Sequence, residues 1–108
     1  MLAIMAFSDN LKQLPPVAHL ASLQLTDAQG AVVATIENKP GQAGSLAVYA
    51  ALAERHGRIN AAAAQEGLDI YAEHTADARA NPGKHPNIDR LIDLLASGAE
   101  LTVALQPL

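Results

Sequence analysis

Residues 17–37 constrain the fold more than any other stretch, because they carry a two-residue period interrupted once by turn chemistry. Val17, His19, Ala21, Leu23 and Leu25 alternate with Ala18, Leu20, Ser22, Gln24 and Thr26, which predicts a strand with one wetter face. Asp27-Ala28-Gln29-Gly30 supplies a turn in which Gly30 can take positive φ, and Ala31 to Glu37 reads as a β-branched return strand. The pair predicts an antiparallel hairpin. The remaining chain must supply the layer that covers its apolar face.

Most of that chain reads as helix. Ser8-Asp9 is a plausible N-cap for a short helix through Leu14, which Pro15-Pro16 must end. After the loop Asn38 to Gly44, Ser45 can cap a helix with apolar positions Leu46, Tyr49, Ala50, Leu52 and Ala53, closed by Gly57. Asn60 caps a second, Ala-rich helix that runs through Glu66 and stops at Gly67. Leu68 to Glu73 fits two patterns. Leu68, Ile70 and Ala72 alternate as in a strand, while Ala64, Leu68, Tyr71, Thr75 and Ala78 make a helical stripe; Gly67 tips the expectation to a strand. Thr75 to Ala80 forms one or two helical turns, and Asn81-Pro82-Gly83 turns the chain. Pro86 suits a first helical position, with Ile88, Leu91, Ile92 and Leu95 as the apolar stripe and Gly98 as the stop. Glu100 to Gln106 is a last strand, ended by Pro107.

The expected fold is therefore α+β: one domain spanning residues 1–108, a two-layer sandwich with helices mainly on one face of a four-stranded mixed sheet that begins with the hairpin. A strand–helix–strand ending would make the last strand pair parallel. Of the bulky apolar residues, 15 Leu, 6 Ile and 5 Val must build the core, because 23 alanines add little volume. The absence of cysteine excludes disulfides, thiolate catalysis and Cys-based metal sites. With a net charge of -4 and seven scattered Lys and Arg, the chain lacks the basic footprint of a nucleic-acid binder. Met1 to Phe7 is apolar but too short for a membrane span and lacks the flanks of a signal peptide, so it is expected to lead into a core element, with Met5 an alternative start. A cytoplasmic setting is expected.

Two polar loops could hold chemistry. In Ile36 to Ser45, Lys39 stands beside Gly41, Gly44 and Ser45 at a helix start, where free N–H groups favour an anion. It is not a Walker A loop, and the same residues also serve as an ordinary turn and cap. The second loop, Tyr71 to Asp89, concentrates Glu73, His74, Asp77 and His85; His74 with Glu73 or Asp77 would make an oriented general base. Its spacing is not that of a metal site, so no metal or cofactor is expected. Helix caps, dipole partners and solvated charges account for these residues more simply than chemistry does. His19 is expected hydrogen-bonded beside the core, His56 at a helix C-terminus, and Tyr49 and Tyr71 in the core with polar tips.

Several segments taken together resemble a small bacterial family of uncharacterised single-domain proteins, a domain of unknown function. They are Asn38-Lys39-Pro40-Gly41 with Gly44-Ser45-Leu46 and Val48-Tyr49, Ile59-Asn60 with Ala63-Ala64 and Gly67-Leu68, and Tyr71-Ala72-Glu73-His74-Thr75 with Asp77-Ala78, Pro82-Gly83 and His85-Pro86-Asn87-Ile88-Asp89. The likeness covers the chain from about Asp9 onward and implies no particular activity. The segments coincide with both candidate loops, which leads to the expectation of one shared pocket. The function expected first is a binding or accessory protein for a small anion or a protein partner. His-centred acid–base catalysis and a structural homo-oligomer are the alternatives.

Overall fold

The computed structural model describes residues 6–108, so the expected lead-in from Met1 and the start at Met5 lie outside the described residues. Eight elements follow in the order α1 (Phe7–Leu11), β1 (Leu20–Thr26), β2 (Val32–Glu37), α2 (Ala43–His56), α3 (Ala61–Tyr71), α4 (Glu73–Ala80), α5 (Pro86–Ser97) and β3 (Thr102–Pro107). The fold is α+β, as expected. Its sheet has three strands among the described residues, not four, in the order β2-β1-β3. Both pairings are antiparallel, so no parallel crossover closes the fold.

The hairpin forms in the expected place. Leu23 faces Ile36 and Leu25 faces Ala34, while Asp27 accepts the amides of Gln29 and Ala31 to close the turn. The phase differs at one end: a register shift between Leu20 and Ser22 moves Leu20 onto the buried side with Leu23 and Leu25. An uninterrupted alternation would have turned it outward. The segment before it, including the exposed His19, is not strand.

The fourth strand is absent because α3 continues through Gly67. A Cβ built at this glycine would lie 2.6 Å from Leu91 Cδ1 and 2.9 Å from Leu52 Cδ1, so hydrogen there allows α2, α3 and α5 to close on one another. The helical stripe prevails, with Ala64, Leu68 and Tyr71 all buried. The helix ends at Ala72, whose φ of 53° and ψ of -117° are strained for a residue with a Cβ. Two bonds hold this corner: the Thr75 hydroxyl donates to the Leu68 carbonyl at 2.6 Å, and the Thr75 amide to the Ala72 carbonyl at 3.1 Å. Thr75 thus secures the end of α3.

Other boundaries follow sequence chemistry with two exceptions. Asn60 caps α3 by accepting the Ala63 amide at 2.9 Å, Pro86 opens α5, and Gly57 and Gly98 close α2 and α5 in left-handed geometry. However, α1 starts at Phe7 rather than after Ser8-Asp9, and α2 starts at Ala43, without a side-chain cap, rather than after Ser45. In the core, Leu23, Leu25 and Ile36 join Leu46, Val48 and Leu52 of α2, with Leu68 and Leu91 behind them. Among the described residues, no helix is long and apolar enough to cross a membrane.

Candidate functional site

The two polar loops meet. Gly41, Gly44 and Ser45 from the start of α2 line one cavity of about 270 Å³ with His74 of α4, Lys84 and His85 of the following loop, and Pro86, Asn87 and Ile88 of α5. Phe7 and Tyr71 complete its wall. Lys39 is not part of it; its ammonium pairs with Glu37 at 2.8 Å on the exposed hairpin end. Glu73 and Asp77 stand behind the lining, each attached to a residue that belongs to it.

Two buried tyrosines hold the opposite sides in place. The Tyr71 hydroxyl donates to Ser45 Oγ at 2.7 Å, tying α3 to the first turn of α2. The Tyr49 hydroxyl donates to the Asn87 carbonyl and accepts from Arg90 at 3.2 Å, tying α2 to the first turn of α5. Arg90 also donates to Asn87 Oδ1 at 2.8 Å. Burial pushes the Tyr49 phenol up to about 12, against a smaller opposing pull from Arg90, and drives Tyr71 well above its ordinary value. Both phenols therefore remain neutral donors at physiological pH.

The helix starts leave polar groups free. The amides of Gly44, Ser45 and Asn87 have no hydrogen-bond acceptor among the described residues. All three residues line the cavity. Just before α5, Asp77 Oδ2 binds His85 Nε2 at 2.6 Å and Lys84 Nζ at 3.0 Å. These hydrogen bonds, first from His85 and then from Lys84, hold the Asp77 carboxyl down to about 2. Because its acidity is increased on folding, the stability it contributes is present above about pH 4 and lost as the pH falls toward 2. His85 Nδ1 has no partner among the described residues. The His74 ring lies 5.8 Å from that of His85 and edge-on to Phe7 at 5.2 Å, while Phe7 stacks on Tyr71 at 5.1 Å. The Phe7 amide, which donates to Glu73 at 2.8 Å, is the chief cause holding the Glu73 carboxyl below the usual carboxylate range.

Ser45 is thus an acceptor for Tyr71 rather than a helix cap. Sequence reasoning missed Phe7, Asn87 and the tie from Arg90 to Tyr49. Two phenols in an aromatic-poor chain were the available signal, since a buried phenol needs a hydrogen-bond partner. His56 sits at the end of α2, as expected, bonded to Glu66 at 2.7 Å. Among the described residues, no group of three or more His, Asp or Glu is placed to hold a metal ion.

No curated protein and no solved structure matches the chain. A family model described as "Uncharacterized protein conserved in bacteria (DUF2322)" matches residues 7–105, a span that includes both loops and every residue of the cavity wall. The chain therefore belongs to this bacterial family.

Proposed function

We propose that the protein binds a small anionic molecule in the cavity between the starts of α2 and α5. One observation carries this function: three backbone amides without acceptors, at Gly44, Ser45 and Asn87, share a wall with His74, Lys84 and His85, and that wall contains no carboxylate. Helix starts favour negative charge, and hydrogen bonds to a charged acceptor contribute roughly 1.5–3 kcal/mol each. After an association cost of roughly 4 kcal/mol or more, two or three such bonds leave at most about 5 kcal/mol, which corresponds to a dissociation constant of roughly millimolar.

Thermal denaturation in the presence of acetate, benzoate and inorganic phosphate tests the proposal. A ligand that binds only the native state stabilises it by about 2.7 kcal/mol at a hundredfold excess over its dissociation constant. At least one anion should raise the Tm of the wild type, and Lys84→Ala and His85→Gln should reduce the rise. No rise with any anion would contradict it.

His-centred acid–base chemistry is supported by a separate observation, the Asp77–His85 contact at 2.6 Å with Nδ1 left available to a ligand. Here His85 would exchange a proton with the bound molecule and Asp77 would orient the ring. Chemical conversion of an anion found by the thermal screen, abolished in His85→Gln, would favour catalysis over binding alone.

A further inference from the structure

We infer, resting on the anion-binding function proposed above, that the pocket selects a singly charged carboxylate with an apolar body and takes up a proton with it, on His85. The charges around the cavity decide between anion classes. Lys84 is the permanent cation of the wall, and its ammonium is already shared with Asp77. Behind the wall stand two carboxylates, Asp77 and Glu73, the latter bonded to the Phe7 amide. Arg90 is the second cation nearby, engaged with Asn87 and Tyr49. Arg79, Asp93 and Asp89, which accepts the Gly83 amide at 2.8 Å, line a different cleft, and α1 and α2 contribute no charged side chain to the wall.

With neutral imidazoles, the two cations are therefore matched by two carboxylates. A dianion such as a phosphate monoester would add two negative charges to a site with no positive charge to spare. A monoanion adds one, and a single proton offsets it. His85 is built to accept that proton: Asp77 holds its Nε2, and Nδ1 is without a partner among the described residues. Protonation turns Nδ1 from an acceptor into a donor toward a carboxylate. His74, at 5.8 Å between ring centres, is the other imidazole facing it.

The shape of the cavity specifies the body of the ligand. Phe7, Tyr71, Pro86 and Ile88 give the wall an apolar side next to the cationic one. A volume of about 270 Å³ admits a molecule the size of benzoate.

Calorimetric titration with benzoate and phenyl phosphate between pH 6 and 8.5 tests this, because the two share a body and differ in charge. Benzoate should bind more tightly than phenyl phosphate at pH 7.5, by about tenfold or more. Its affinity should fall about tenfold per pH unit once the imidazole is neutral in the free protein. Heats in two buffers of different ionisation enthalpy should report uptake of one proton. The slope should flatten in His85→Gln and survive in His74→Gln. In the wild type, NMR titration of the His85 ring should show its protonation midpoint rising when benzoate is bound, a readout independent of any variant. Equal or tighter binding of phenyl phosphate, a benzoate affinity independent of pH, or a slope that survives in His85→Gln would overturn the inference while leaving anion binding intact. Failure of both compounds, together with acetate and inorganic phosphate, would remove anion binding itself.

Discussion

The cavity between α2 and α5 and the groove beneath β3 are both concave, at about 270 and 380 Å³, but they arise from different causes. The groove exists because the sheet extends beyond the helix that covers it. Val103 and Leu105 continue the inward row of Leu25 and Leu23, yet Leu105 remains 46% exposed. Pro16, His19, Ala50 and Glu54 also line the groove, and the side chains of His19 and Glu54 have no hydrogen-bond partners among the described residues. In the smaller cavity, buried hydroxyls engage Ser45 Oγ on one side and the Asn87 carbonyl on the other, and the ionisable groups are oriented by one another. Between these two, size favours the groove. Preorganised polar atoms point to the cavity.

This contrast can be tested by substitution, beginning with the largest effect. Tyr71→Ala removes a buried ring that stacks on Phe7 and bonds Ser45, and should cost about 4 kcal/mol in denaturant unfolding. Tyr49→Phe keeps the ring but leaves the Asn87 carbonyl and Arg90 without their shared partner; it should cost about 1.5 kcal/mol and weaken anion binding through the start of α5. Ala72→Gly should act in the opposite direction, stabilising by about 1 kcal/mol, because glycine adopts φ of 53° without the Cβ penalty. Leu105→Thr, in the groove, should change stability by less than about 0.5 kcal/mol and leave anion binding unaltered. A large binding defect from Leu105→Thr, with none from Tyr49→Phe, would reverse the assignment of the two concavities.

What the sequence revealed followed from signals that act locally. Alternation around Asp27 to Gly30 defined the hairpin, and Pro86 with Gly98 framed α5, because turn and cap preferences depend on a few neighbouring residues. Gly67 misled for a physical reason. A glycine that stops a helix and one that allows two other helices to approach are identical in sequence, and the difference lies in Leu52 and Leu91, distant along the chain. The single-residue irregularity near Ala21 was equally hidden, since a bulge leaves the alternation on either side intact. At the site, local chemistry identified Gly41, Gly44, Ser45, His74 and His85 as candidates, and the fold brings them to one cavity. It also promoted Lys39, which the hairpin end engages with Glu37 instead. The ties from Tyr71 to Ser45 and from Tyr49 to Asn87 span 26 and 38 residues, beyond the reach of any local pattern.

The most direct measurement is an amide-resolved NMR titration of the wild-type protein with benzoate at pH 6. If the cavity is the anion site, the largest shift changes will fall on the amides of Gly44, Ser45 and Asn87 and saturate along one binding curve. Saturable changes confined to Val103, Leu105 and Ala50, or none anywhere, would contradict the account.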